Sequence, residues 1–294
     1  MAMKSVLCIF RAACFSPGMV ERDEAILRAV ASRLQTAGCD VSFVHEEEFD
    51  SNASMPDIVV HMARSSRALD ILSQWQDVGC RVFNSVDSIY NVEREALARL
   101  CVSHAIPSPK TWVVETSGYE IQAVTVDGKN EAITFPCWVK RAGDCAQQPN
   151  DVCRVGDSVE YSRCLSDFHS RNIAQAVVME HLEGVCVKFY AVSNTDFCYC
   201  LPANRLGYDK WVKNLPVNDV EDVAVSTAAC KRVARLISLL QGEEGRGVFP
   251  MIYGGDAIIG SDGIARLIDL NDWPSFSTCR EEAADAIAGL VLKD

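Results

Sequence analysis

Three oxygen-bearing side chains near the C-terminus have types and spacing that could do chemistry. They lie in Gly255–Phe276, GDAIIGSDGIARLIDLNDWPSF, and are Asp256, Asp269 and Asn271. In a strand, Asp269 and Asn271 stand two apart and share a face, while Leu270 between them points the other way. The Asp-Gly turn joins two apolar runs, a strong hairpin signal, so Asp256 can lie on the strand beside Asp269. Three hard oxygen ligands on one face of an apolar hairpin suit Mg²⁺, which takes few protein ligands and completes its shell with water and nucleotide phosphates. The plain alternative is that Asp269 and Asn271 form a polar strand end before the Trp273-Pro274 turn.

These side chains need elements to hold them. The first hundred residues alternate strand and helix: strand Ser5–Phe10, helix Val20–Gln35, strands Val41–Val44 and Asp57–His61, helix Ala68–Val78, strand Arg81–Phe83. Such alternation implies a parallel sheet with helices on its faces. In these sheets functional loops follow the carboxyl ends of strands. Arg11, Arg64 and Arg67 occupy such loops and fit an anionic group of a second substrate; solvated surface charge is the equal alternative. His61 at a strand end is a weak polar candidate.

From Asn84 the pattern changes. A helix at Glu93–His104 stops before Pro107 and Pro109. Short strands follow (Thr111–Val114, Ile121–Val126, Pro136–Lys140), then helix Val159–Ser170 and strands Ala176–His181 and Val185–Val192. This middle is α+β in character. A helix over Asp222–Leu240, strands Pro250–Ile259 and Ile264–Leu270 and a helix over Glu281–Leu292 complete the chain.

Composition narrows the function classes. The 294 residues are 49% hydrophobic and 23% charged, ordinary for a globular chain, with a formal charge of −12. That balance argues against a general nucleic-acid binder, though a local basic pocket remains compatible with it. No apolar run is long enough to suggest a membrane span, and the N-terminus reads as a strand and not as an export signal, so a cytoplasmic protein is expected. The fourteen cysteines include no CxxC pair and read as reduced, mostly buried thiols.

The ordered pieces from Asn84 onward resemble the ATP-grasp superfamily, whose members end on an acidic residue followed by E/D-x-N at the ATP-bound metals. The resemblance implies an ATP-grasp fold, α/β and α+β, behind a Rossmann-like parallel-sheet domain. It sets an N-terminal substrate-side domain at 1–105, a small subdomain at 106–182 and a metal-bearing subdomain at 183–294. NSVDSIYNVERE has Glu93-Arg94 where the family usually has Asp-Lys. By the same resemblance, Lys140 in WVKR contacts phosphate and adenine, Glu180, His181 and Leu182 in VVMEHLEG form the adenine hinge, and Lys188 in VCVKFYAV lies beside the nucleotide. Arg205 stands where members neutralise the transferred phosphate. The resemblance also implies that Asp256, Asp269 and Asn271 hold Mg²⁺. Lys213 is a candidate substrate contact, as is Ser275, which replaces a frequent glycine. The expected phosphate-covering loop is AGDCAQQPNDVC, with Gly143 its single glycine, so Gln147 and Gln148 are candidate side-chain contacts.

Most family members join a carboxylate to an amine through an acyl-phosphate, and many dimerise. Mg-ATP, a small-molecule or peptide substrate and a homodimer are therefore implied. MEHLEGVCVKFYAVS with IDLNDWPSF also resembles the inositol-trisphosphate 5/6-kinase branch, which phosphorylates a hydroxyl. A nucleotide-binding protein without turnover is the third alternative. Convergence of Arg11, Arg64, Arg67 and Lys213 on the metal favours the kinase.

Overall fold

The computed structural model describes residues 3–118, 120–143, 148–202, 226–242 and 247–293. Gln147, Arg205, Lys213 and the first residues of the helix expected from Asp222 lie outside them.

Strands β1 (Ser5–Phe10), β2 (Asp40–His45), β3 (Ile58–His61) and β4 (Arg81–Phe83) form a parallel sheet in the order β2-β1-β3-β4. β3 reads IVVH and is buried throughout, as a parallel strand covered on both faces must be. Helix α1 (Val20–Thr36) turns Ile26, Leu27, Val30 and Leu34 into the core, and α2 (Ser66–Asp77) buries Ala68, Leu69 and Leu72 on the opposite face. Two helices follow where the spacing suggested one, the five-residue α3 (Val86–Tyr90) and then α4 (Arg94–Ser103). Five residues are too few to display a 3.6-residue apolar period.

The middle of the chain supplies β5 (Thr111–Glu115), β6 (Gln122–Val124), β7 (Asn130–Ala132), β8 (Cys137–Arg141), β9 (Val152–Val155), α5 (Ser158–Ser170) and β10 (Gln175–Glu180). An antiparallel sheet of order β5-β10-β8-β9 packs Trp112, Val139 and Val178 against Tyr161, Leu165 and Phe168 of α5. Asp157 starts α5 by accepting the amides of Val159 and Glu160, both at 2.9 Å. The polar segment Asn130–Ala132 was not legible as a strand; it pairs with β6 because the Asp127-Gly128 turn folds it back.

The last unit contains β11 (Val185–Val192), β12 (Cys198–Pro202), α6 (Thr227–Gln241), β13 (Ile252–Ile259), β14 (Ala265–Asp272) and α7 (Arg280–Leu292). Its antiparallel sheet has the order β12-β11-β13-β14. One face, with Val187, Phe189, Ala257, Leu267 and Leu270, packs on Val233, Leu236 and Leu240 of α6. The other face meets the N-terminal domain, where Tyr190, Val192, Ile252 and Phe276 join the core beneath β1, α1 and α7.

Asn84 fastens these two units together. Its buried Oδ1 accepts the amides of Met251 (2.9 Å) and Ile252 (2.8 Å), and its Nδ2 donates to the Ile252 carbonyl at 2.8 Å. His61 is fully buried at the end of β3, with Nε2 2.9 Å from the Asn84 carbonyl oxygen. That places it in the core between domains and not at an open site. The indole of Trp273 donates to the Phe83 carbonyl at 3.2 Å, and its ring is fully buried. Among the described residues every cysteine is a free thiol, but fewer are buried than expected: Cys8, Cys80, Cys101, Cys137, Cys164 and Cys279 are, whereas Cys14 and the edge-strand Cys198 are exposed.

Candidate active site

Register brings the candidate residues together. Lys188 on β11 pairs with Asp256 on β13, which pairs with Asp269 on β14, so the three form a row across the sheet. Directly opposed side chains on one face stand about 5 Å apart at Cβ. Lys188 Nζ lies 3.1 Å from Oδ1 and 3.2 Å from Oδ2 of Asp256, which is only 2% exposed. A buried carboxylate without a cation close by is expensive, and Lys188 supplies one. Asn271 pairs with Gly254 one step along the same face.

A β-bulge sets this geometry. Asp256 faces Asp269, yet Ala257 faces Leu267, so Ile268 is an extra residue in β14. Strict alternation would put Leu267 on the same face as Asp269. The extra residue resets the alternation, so Leu267 and Leu270 both reach the core while Asp269 and Asn271 keep the polar face. Gly255 lets the strands close here, because a Cβ on it would lie 2.5 Å from the Phe189 ring and 2.7 Å from the Asp269 carbonyl oxygen.

Ile268 drops out of the ladder, and its carbonyl oxygen accepts Lys140 Nζ at 3.1 Å. Lys140 comes from β8 of the small sheet, so this bond spans the two sheets. Burial pushes the Lys140 pKa down, opposed by Asp269 and by Asp256, with Arg94 lowering it further. Arg94 Nη1 donates to the Arg141 carbonyl at 2.7 Å. At the Asp269 end of the row lies a cleft lined by Arg64, Glu93, Arg94, Gly143, Asp269 and Asn271.

The hinge expected at Glu180, His181 and Leu182 follows β10. Glu180 Oε1 accepts the Lys110 amide at 2.7 Å, and His181 Nδ1 accepts the Trp138 indole N–H at 3.1 Å. Burial, then the nearby Arg154, lowers the His181 pKa, so the ring is neutral at neutral pH. Leu182 is half-buried.

Among the described residues, Arg11, Arg64 and Arg67 do not converge on the metal candidates. Arg11 donates to the Met62 carbonyl (3.1 Å), Asp23 (3.0 Å) and the Trp273 carbonyl (3.1 Å), which makes it a strut between β1 and the C-terminal segment. Arg67 donates to the Glu46 and Glu47 carbonyls at 3.1 and 3.0 Å. Only Arg64 of the three lines the cleft, with Nη2 on the buried carboxylate of Asp272. Ser275 is buried, at 8% exposure. Gln148 folds back on Asp151 to cap a short turn. Arg205 and Lys213 lie outside the described residues.

Two site residues escaped the sequence reading. Glu93 lines the cleft, although it was read only as a replacement for the usual Asp. Cys186 precedes Lys188 by two residues on β11, and its pKa is pushed up to about 12 by burial and then by Asp256. The i, i+2 spacing to Lys188 was the available signal.

The architecture has known counterparts. An ATP-grasp RimK domain protein from Sphaerobacter thermophilus superposes with a TM-score of 0.65 at 15% identity, over 98% of this chain and 100% of that one. The D-alanyl-alanine synthetase A of Vibrio cholerae gives 0.63 at 11% identity, over 99% and 98%. The VanG D-Ala:D-Ser ligase of Enterococcus faecalis gives 0.63 at 12%, over 99% and 100%. The chain has the ATP-grasp fold. No family model matches its sequence, and no curated protein does. The ATP-grasp architecture therefore persists here at an identity too low to carry substrate or activity with it. Among the described residues no helix is long and apolar enough to cross a membrane.

Proposed function

We propose that this protein is a Mg-ATP-dependent carboxylate–amine ligase acting through an acyl-phosphate on a small molecule or peptide. The observation that carries the reading is the row Lys188–Asp256–Asp269, with Asn271 beside it, whose Asp269 end and Asn271 line a cleft together with Arg94 and Gly143. Among the described residues no three of His, Cys, Asp and Glu group as a metal cluster. Two carboxylates and an amide oxygen are a sparse, hard donor set, which fits Mg²⁺ sharing its shell with nucleotide phosphates. Asp256, Asp269 and Asn271 would hold it, and it would draw off the charge that builds on the transferred phosphoryl oxygens.

The remaining work falls to the chain. Lys140 and Arg94 present cationic groups to the phosphates, and Glu180–Leu182 give the adenine a partly buried edge. Lys188 moves between Asp256 and phosphate as the nucleotide arrives. A substrate carboxylate oxygen attacks the γ-phosphorus while its bond to the β,γ-bridging oxygen breaks, and ADP leaves with that electron pair. An amine then attacks the acyl carbon, phosphate departs with the C–O pair, and the ammonium proton passes to solvent. No side-chain nucleophile is needed; alignment and charge carry the rate.

The names of the superposed structures, D-alanyl-alanine synthetase and D-Ala:D-Ser ligase, support ligation. So does the spread of the basic residues. A kinase acting on a polyanion needs several cations around the acceptor, but Arg11 and Arg67 are engaged with the chain's own carbonyls and Asp23. The test is ADP release from Mg-ATP with acids and amines supplied singly and together. The ligase needs both for sustained turnover; turnover with a polyol alone contradicts it.

A further inference from the structure

Three thiols lie in a row where β12 meets α6. β12 is the outer strand of the C-terminal sheet, and Cys198 and Cys200 stand two apart on it, so they share a face while Tyr199 between them turns the other way. Cys200 packs on the core that Ala229 and Val233 of α6 build, and Cys230 sits beside that stripe in the first turn of the helix. Cys200 is hydrogen-bonded to both of the others, to Cys198 along the strand and to Cys230 across to the helix. Cys198, at the outer end of the row, is exposed, and Cys200 and Cys230 are half-buried. Elsewhere burial pushes Cys8, Cys101 and Cys137 up to about 12, which keeps those thiols protonated and inert. The hydrogen bond from Cys200 instead lowers the pKa of Cys198, so thiolate forms at the most accessible sulfur of the row. Among the described residues no three such side chains gather closely enough to hold a metal ion, so the sulfurs form a row and not a metal cage.

We propose that Cys198, Cys200 and Cys230 form a thiol–disulfide exchange site for a low-molecular-weight disulfide, with Cys198 as the attacking sulfur and Cys200–Cys230 as the bond that remains. The Cys198 thiolate attacks one sulfur of the small disulfide. That S–S bond breaks, and the first small thiol leaves with the electron pair and takes up a proton. Cys200 then gives its proton to solvent and attacks the Cys198 sulfur, which expels the second small thiol. The Cys198–Cys200 bond so formed is short-lived. Same-face neighbours on a strand lie about 6.5–7 Å apart, beyond the roughly 3.5–4.5 Å between Cβ atoms that a relaxed disulfide needs. Cys230 attacks the Cys200 sulfur, gives its proton to solvent, and releases Cys198 as a thiolate again. In sum the protein loses two electrons and two protons, and one small disulfide becomes two small thiols. A strained, exposed link exchanges readily whereas one between two packed elements persists, and this difference drives the transfer inward from Cys198 to Cys230.

The test needs neither ATP nor an acid, so it stands apart from the ligase reading. Fully reduced protein is incubated with oxidised glutathione, the remaining thiols are alkylated over a time course, and proteolytic peptides are mapped by mass spectrometry. Wild type should yield a Cys200–Cys230 cross-link, two hydrogens lighter than the reduced pair. Cys200→Ser should stop at a glutathione adduct on Cys198. Cys198→Ser should slow the cross-link at least roughly tenfold; it changes an exposed edge residue, and an unchanged melting temperature checks that the fold is kept. Cys14, exposed in the turn after β1, reports how fast the reagent modifies an accessible thiol without neighbours of this kind. Modification of Cys198 ahead of Cys14, with the cross-link following it, supports the site. Equal modification of Cys14 and Cys198 with no cross-link overturns it, as does a cross-link that forms at the wild-type rate in Cys198→Ser.

Discussion

Lys140 on the small sheet donates to the carbonyl of Ile268 at 3.1 Å, and Ile268 is the residue that the bulge expels from the β13–β14 ladder. One irregularity therefore does two things. It turns Asp269 and Asn271 toward the cleft, and it offers a carbonyl that holds the Lys140 ammonium, the group we propose contacts phosphate. Lys140→Met keeps the aliphatic stem and removes that charge. We expect ATP affinity to fall about tenfold or more, since charge-assisted hydrogen bonds contribute about 1.5–3 kcal/mol. Titration with a non-hydrolysable ATP analogue checks this, and unchanged affinity would remove Lys140 from the nucleotide site.

Asp269→Asn removes one metal charge and almost no volume. Turnover should drop about 10²- to 10³-fold or further, with the melting temperature close to wild type. Wild-type ADP release at saturating Mg²⁺ would refute the metal assignment.

Gly255→Ala tests the closeness of the strands. Its Cβ must displace either the Phe189 ring, at 2.5 Å, or the Asp269 backbone, at 2.7 Å. Overpacking of this kind costs about 1–3 kcal/mol, and shifting Asp269 should reduce activity by more than the lost folded population explains. Activity per folded molecule, with the folded fraction taken from circular dichroism, separates the two effects.

Asn84→Ala removes three hydrogen bonds to the backbone of Met251 and Ile252 in a fully buried position. Stranding those groups should destabilise the protein by about 3 kcal/mol. Urea unfolding reads the loss. Asn84→Asp should recover little of it, because the Ile252 carbonyl would then face a carboxylate.

His61 gives the fold a pH dependence of known sign. Burial lowers its pKa below the ordinary 6.5, against the Asn84 carbonyl, Asp272 and Glu46, which raise it. The folded protein holds the ring neutral, with Nε2 donating to Asn84, while the unfolded chain takes up a proton below 6.5. Stability from this group is thus full above pH 6.5 and declines as pH falls beneath it, by up to about 1.4 kcal/mol per pH unit until the folded pKa is reached. Unfolding curves at neutral pH and about one unit below 6.5, for wild type and His61→Gln, should show the smaller slope in the variant. Equal slopes would mean that another group carries the dependence.

Much of this fold was legible because its signals were local. The IVVH strand, the α1 stripe and the Asp-Gly hairpin each declare their element within a few residues. The pairing of Asp256 with Asp269 followed from that hairpin, whereas the bulge did not, since LIDLND reads as plain alternation and only the competing demands of Leu267, Leu270 and Asp269 force the extra residue. The same limit applies to Arg11. A strand-end arginine looks like an anion site until the Trp273 carbonyl, 262 residues away in sequence, turns out to be its partner. Long-range hydrogen bonds of this kind leave no periodicity behind.

The most direct test of the central claim follows the oxygen. An acid carrying ¹⁸O in its carboxylate, supplied with Mg-ATP and an amine, should pass one ¹⁸O to the released phosphate, read by phosphorus NMR as an isotope shift. That transfer requires an acyl-phosphate and is what the ligase account predicts. Unlabelled phosphate, or a new phosphomonoester signal from a pooled set of inositols and their phosphates, would contradict it.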